Sequence, residues 1–230
     1  MANENPYKSK ILAYQEFIFP AEQAKSVRGQ WNKTVFQNDR RLKVEIGSGY
    51  GEFMMDYARS GVEANFVGID FRVKRSFFLA RKLEALRSEG INHFDFRFLA
   101  LNAIHLKDYF ALNEISELFY FFPDPWPKKR HHRRRLFQKS FLIELYPLLQ
   151  DDAIFWVKTD DDNYFEWMLE ELNKVEDLFA IKFQTADLRG PNLEISTCND
   201  AAFLLAYKTR FESEFMAQGK TIKALKLLKK

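Results

Sequence analysis

From residue 42 onward the chain alternates short apolar runs with longer stretches whose apolar positions recur at helical spacing. That alternation is the signature of strands joined by crossover helices in a parallel sheet. Residues 42–46 form the first run, 47–51 a glycine-bearing turn and 52–60 a helix. A second run, 65–70, ends in an acid, and a basic helix over 72–89 is closed by Gly90 just past its last turn. The pattern next predicts a strand at 94–100, a short helix within 104–112, a strand at 117–122 and a loop at 123–134. A helix at 136–149, a strand at 153–158 and a helix at 160–174, opening on a good capping acid, follow. Beyond them lie a strand at 179–185, a loop at 187–198, a helix at 201–218 and a strand at 220–228. Phe203, Tyr207, Phe211 and Phe215 repeat every four residues, so the 201–218 helix presents them as a core stripe, with Glu212 on a neighbouring face. The lysines of the final strand suit a sheet edge. Seven strands and six helices in this order predict a doubly wound α/β sheet, which binds ligands outside the carboxyl ends of its strands near a topological switch point. Residues 1–41 are polar with apolar anchors at Phe17, Ile18, Phe19, Trp31, Val35 and Phe36, an arm expected to pack on a domain spanning 42–230.

Composition narrows the class. A 230-residue chain that is 47% hydrophobic can bury one sizeable core, which excludes a disordered or fibrous protein. Its one cysteine, Cys198, forms no intramolecular disulfide or multi-thiolate metal site and reads as a spectator, so a reducing, cytoplasmic setting is expected. Charged residues interrupt the first 20 positions, and the longest apolar run, 201–207, falls far short of the roughly 20 residues of a membrane helix. The net charge of +3 conceals its distribution: residues 128–135 hold six of the 35 Lys and Arg, leaving 29 against 32 acids elsewhere.

Two segments carry candidate chemistry. The first, 44–51, leaves a strand, places Gly47, Gly49 and Gly51 within five residues and enters a helix, so a ligand can approach its backbone closely. Nicotinamide, flavin and S-adenosylmethionine proteins all use such turns. Glu45 at the strand end suits a positively charged methionyl group and repels a pyrophosphate, and Glu52 at the helix start is equally ill-suited to phosphate, which favours the sulfonium cofactor. Asp70 follows Gly51 by nineteen residues, near the offset of a ribose-binding acid; the competing reading is a surface acid capping the helix at Arg72. Asn102 meets either an adenine edge or only its own turn.

The second segment, Phe121 to Arg135, sets three prolines in five positions and so holds Asp124 and Trp126 stiffly before the basic octet of Lys128, Lys129, Arg130, His131, His132, Arg133, Arg134 and Arg135. A basic run is commonly a solvated face or a localisation signal. Joined rigidly to a cofactor pocket, it points instead to a polyanionic substrate whose phosphates it holds. Trp126 reads as packing before stacking, the two histidines as phosphate or loop contacts, and Asp160, Asp161 and Asp162 as helix-start residues, so no metal is expected.

Glu45-Ile46-Gly47-x-Gly49-x-Gly51, Gly68-Ile69-Asp70, the block from Phe122 to His131, Thr159-Asp160 and Thr209-x-Phe211-Glu212 with Gly219 downstream resemble the tRNA (guanine-N7-)-methyltransferases over about residues 31 to 228. The Phe122–His131 block is the most specific of these. The resemblance implies a class I methyltransferase fold, a Rossmann-like seven-stranded sheet with its last strand antiparallel. It also implies S-adenosylmethionine contacts at Glu45, Gly47, Gly49, Gly51, Asp70, Asn102 and Asp124, with Asp124 the active-site carboxylate. Lys128, Asp160, Thr209, Arg210, Phe211 and Glu212 match substrate positions, and Arg130 to Arg135 the RNA-contact segment. Asn102, Asp70 and Arg210 stand where the family commonly has Asp, Glu and Lys. The expected partner is tRNA, methylated at a variable-loop guanosine by a monomer or a homodimer.

Guanine N7 already offers a lone pair, so the implied displacement needs alignment and charge stabilisation and no histidine or cysteine base. Asp124 or Asp160 is suited to accept from guanine N1–H and the 2-amino group. Three rivals remain: a silent RNA-binding module, a nicotinamide-dependent oxidoreductase, which leaves the octet unexplained, and a methyltransferase acting on another RNA or a small molecule.

Overall fold

The computed structural model describes residues 6–91, 93–191, 193 and 199–230, and among them the strands of a mixed α/β sheet number eight. The chain divides into two units, residues 1–111 and 112–230.

The first unit runs α1 (Tyr7–Lys10), β1 (Ile18–Phe19), α2 (Ala21–Ser26), β2 (Leu42–Ile46), α3 (Glu52–Arg59), β3 (Ala64–Ile69), α4 (Val73–Ser88) and β4 (Phe94–Leu99). Its strand order is β1-β4-β3-β2, with every pairing parallel. All positions of β2 and β3 are buried, as in a parallel sheet covered on both faces. Lys43, inside β2, donates to the Tyr57 hydroxyl at 2.6 Å. The arm is more than packing: Ile18 and Phe19 pair with Phe98 and Leu99, adding the eighth strand where seven were expected. A two-residue run has no period by which to recognise it. Phe17, Ile18, Phe19, Trp31 and Phe36 are buried, while Val35 is half-buried. Trp31 stacks on Phe110 at 5.8 Å, and its indole N–H donates to the Tyr109 carbonyl.

The second unit runs β5 (Ile115–Phe121), α5 (Lys139–Leu145), β6 (Leu149–Thr159), α6 (Asp162–Asn173), β7 (Phe179–Thr185), α7 (Asn199–Ala206), α8 (Arg210–Ala217) and β8 (Lys223–Lys229). Its order is β5-β6-β8-β7; β5 and β6 are parallel, and β8 is antiparallel to both neighbours. The lysine-rich strand is therefore interior, not an edge. Its lysines lay their stems along the sheet and carry their heads to partners: Lys223 to Asp162, Lys226 over the Trp156 ring and Lys229 to the Leu149 carbonyl.

Two helical expectations change. Residues 129–134, read as loop, form a 3-10 helix. The single helix expected at 201–218 is two, broken before Thr209, whose hydroxyl accepts the Glu212 N–H and caps α8. The aromatic stripe divides with it. Phe203 stacks on Trp156 at 4.3 Å, whereas Phe211 is 42% exposed and only half-buried Phe215 continues toward Phe122, so the stripe is not one core face. Cys198 and most of the expected 187–198 loop lie outside the described residues.

Candidate functional site

In the first unit, the parallel strands bring the loops after β2, β3 and β4 to one edge. Gly47, Gly49 and Gly51 all have left-handed φ, at 81°, 55° and 73°. They differ in what a side chain would meet. A Cβ on Gly47 would touch nothing within 4 Å and one on Gly49 only the Gly47 carbonyl, while one on Gly51 would lie 2.1 Å from Leu79 Cδ1. Gly51 thus seats α4, and Gly47 and Gly49 leave an open cradle. Ser48 ties the turn down, donating to the Glu45 carbonyl and accepting from the Ile69 N–H, both at 3.1 Å.

Glu45 is 4% exposed, and its Oε2 has no hydrogen-bond partner among the described residues. Burial raises its carboxyl to about 8, with the charges of Glu52 and Asp70 adding and a Ser48 hydrogen bond opposing. An orphaned buried acceptor beside an open glycine cradle fits a ligand that brings a cation, as the methionyl end of S-adenosylmethionine does.

Asp70 is buried, not the surface acid of the competing reading, although its Oδ1 accepts the Arg72 N–H at 2.9 Å as a capping acid would. Its Oδ2 takes the Gly49 N–H at 3.2 Å and Arg75 Nη1 at 2.7 Å. Arg75 was not singled out from sequence; a cation in the first turn of the helix that follows the acid was the available signal. Asn102 is exposed, and its side-chain oxygen caps the 103–108 helix through the Ile104 N–H.

In the second unit, β5 leads into Phe122-Pro123-Asp124-Pro125-Trp126. Phe122 and Trp126 bracket Asp124 with φ of 52° and 47°, a conformation that costs non-glycine residues about 1 to 3 kcal/mol each and persists only where surroundings enforce it. One restraint is the Phe122 N–H, which donates to the Lys158 carbonyl at 2.8 Å. Asp124 is exposed and makes no hydrogen bond or ion pair among the described residues. The 3-10 helix follows at once, with Lys128, Lys129, Arg130, Arg133 and Arg134 exposed. His131 meets Trp126 edge-on at 5.9 Å, His132 meets Trp167 at 5.4 Å, and Arg134 covers the Trp126 ring at 4.9 Å. Arg135 departs from this set: it is 2% exposed, and its Nε donates to the Pro125 carbonyl at 2.8 Å.

The end of β6 supplies a second group. Asp160 is buried and pairs with Lys220, and its carbonyl accepts from Lys223. Asp161, one residue beyond the expected cap, accepts the Tyr164 N–H and caps α6. Lys158 is fully buried and donates to the Leu204 and Tyr207 carbonyls at 2.5 and 2.8 Å and to Glu212 Oε2 at 2.9 Å. Burial pulls its ammonium down to about 8 against the opposing pull of Glu212. Glu212 Oε1 accepts from Arg189 Nε at 2.6 Å. Thr209 and Glu212 are therefore the buried half of their motif, while Arg210, paired with Glu214, and Phe211 face outward. Lys158, Arg189 and Lys220 escaped sequence reasoning, although a lysine inside an apolar run signals a buried partner.

The model of a family described as putative methyltransferase matches residues 39–225. A tRNA (guanine-N(7)-)-methyltransferase of Geobacillus thermodenitrificans is 33% identical over 215 residues, covering 94% of this chain and 90% of its own. One from Clostridium botulinum is 32% identical over 207 residues, covering 90% and 89%. The solved 16S rRNA methyltransferase KamB, 15% identical with a TM-score of 0.58 over 91% of this chain and 92% of its own, shares the fold.

Proposed function

Because this chain belongs to the tRNA (guanine-N7-)-methyltransferase family, we propose that it methylates N7 of a variable-loop guanosine in tRNA, working in the cytoplasm with the residues assigned below. S-adenosylmethionine, when bound, supplies a methyl carbon made electrophilic by its sulfonium. Glu45 receives the methionyl ammonium on its orphaned oxygen, and the open backbone at Gly47 and Gly49 admits the cofactor closely. Asp70 binds ribose hydroxyls once Arg75 shares or yields Oδ2, and Asn102 offers its amide to the adenine edge.

N7 attack leaves positive charge on the purine. A carboxylate accepting from N1–H and the 2-amino group selects guanine and stabilises that charge. Asp124 takes this role, since its carboxylate is unengaged among the described residues, whereas Asp160 already holds Lys220. Lys128, Arg130, Arg133 and Arg134 bind phosphates, with His131 and His132 seating the helix against Trp126 and Trp167. Arg210 and Phe211 meet the RNA from α8, held by Thr209 and Glu212. The observation that supports the reading most is the unengaged Asp124 on a strained proline loop that runs directly into an exposed cationic helix.

The test is transfer of labelled methyl to undermodified tRNA, followed by nucleoside analysis for 7-methylguanosine. The Asp124→Asn variant should lose at least about 100-fold in turnover at saturating tRNA. Near-normal turnover removes Asp124 from the role.

A further inference from the structure

We propose that Arg135 is a positioning residue for Asp124 and not a phosphate contact, an inference that rests on the function proposed above. It ends a run of six cations in eight positions, yet it is 2% exposed where Lys128, Lys129, Arg130, Arg133 and Arg134 are open to solvent. Its Nε reaches back ten residues to the carbonyl of Pro125, the residue directly after Asp124. Its guanidinium lies 4.9 Å from the Tyr164 ring and 5.1 Å from the Trp167 ring, two side chains three residues apart on one face of α6. Those rings are themselves fixed on Phe137: its N–H donates to the Tyr164 hydroxyl at 3.3 Å, and its carbonyl accepts the Trp167 indole N–H at 2.8 Å.

No carboxylate lies within ion-pair distance of Arg135 among the described residues, and its Nη2 is without a partner. With only the Asp161 charge acting on it from beyond ion-pair distance, this buried guanidinium is a poor way to stabilise a fold. What it does secure is the loop. Phe122 and Trp126 hold positive φ on either side of Pro123-Asp124-Pro125, so the segment relaxes unless both ends are tied. The Phe122 N–H on the Lys158 carbonyl ties the near end, and Arg135 on the Pro125 carbonyl ties the far end. Asp124 sits between the two ties, where a displacement of about 1 Å is enough to cost on the order of 100-fold in rate. Lysine keeps the charge but loses the flat guanidinium between two rings, so Arg135→Lys separates position from charge.

The experiment measures tRNA affinity across a salt series and single-turnover methylation at saturating tRNA and cofactor, for wild type, Arg135→Lys, Arg135→Met and Arg133→Met. Arg133→Met should make the slope of log affinity against log salt shallower by about 0.7 to 0.9, the loss of one phosphate contact. Both Arg135 variants should keep the wild-type slope and the tRNA KM while the rate falls about 100-fold, with no rescue by lysine. A wild-type rate for Arg135→Lys overturns the inference, as does a slope shallower by about 0.7 to 0.9 with the rate retained in Arg135→Met. If Arg135→Met does not fold, Arg135→Lys decides alone, because a direct phosphate role requires it to be active. Wild-type protein that forms no 7-methylguanosine refutes the functional reading instead.

Discussion

Replacing Glu45 with glutamine should stabilise the cofactor-free protein and weaken cofactor binding, two opposite effects from one change. The carboxyl titrates at about 8 in the fold against 4.5 when free, because burial disfavours its charge. Between those values the folded state holds a proton that the unfolded state has released, so stability is undiminished below 4.5, declines as pH rises and is fully reduced above about 8. At pH 7 the span from 4.5 is 2.5 pH units, and at about 1.4 kcal/mol per unit the cofactor-free wild type carries a deficit of about 3 kcal/mol. Glutamine has nearly the same shape and no such titration. Urea unfolding at fixed ionic strength should therefore show Glu45→Gln level with wild type near pH 4.5 and ahead by about 3 kcal/mol at pH 7. Calorimetry should show the wild type releasing a proton on binding S-adenosylmethionine at pH 7, with affinity rising toward pH 8. The variant should bind more than tenfold more weakly with a flat pH profile. Parallel unfolding profiles for the two proteins, or undiminished cofactor binding by the variant, would refute the reasoning.

Lys158→Met leaves Glu212 as a buried carboxylate with one cation fewer, and the loss should be about 3 to 5 kcal/mol in urea unfolding, partly recovered by adding Glu212→Gln. Full stability in the single variant contradicts the buried network. Gly51→Ala drives a Cβ onto Leu79, so it should lower the unfolding midpoint markedly; Gly47→Ala meets open space and should cost only about 1 kcal/mol of backbone strain while cofactor affinity collapses. Equal stability losses in the two alanine variants would remove the distinction between seat and cradle.

What was legible in the chain follows from where local pattern matches tertiary environment. β2, β3 and β4 stand out because aromatic and branched apolar residues cluster in them even with Lys43, Glu45, Asn65, Asp95 and Arg97 interspersed, and because the glycine turn after β2 and Asp70 after β3 mark where two of them end. Glu45, Gly47, Gly49, Gly51 and Asp70 follow, since the strand-turn-helix frame fixes their spacing. β1 is invisible at two residues, and its partner Phe98 lies 80 residues away. β8 was misplaced because its lysines resemble edge protection until the acids and carbonyls that receive them are in view. The break before α8 was readable: Thr209-x-x-Glu212 is a helix-start signature, overshadowed by an aromatic repeat of four that ran through it. The sequence treats the cations of 128–135 alike, and only the folded chain separates Arg135 from its neighbours, because burial depends on α6, whose rings come some 30 residues later.

The central claim, that N7 of one guanosine receives the methyl group, is tested most directly with a tRNA carrying 7-deazaguanosine at the variable-loop position. In that base a carbon replaces N7 while the pairing edge offered to Asp124 is unchanged. Labelled methyl should enter the unmodified tRNA as 7-methylguanosine at that position and should not enter the deaza tRNA, which should still compete for the enzyme. Equal incorporation into both would contradict the account.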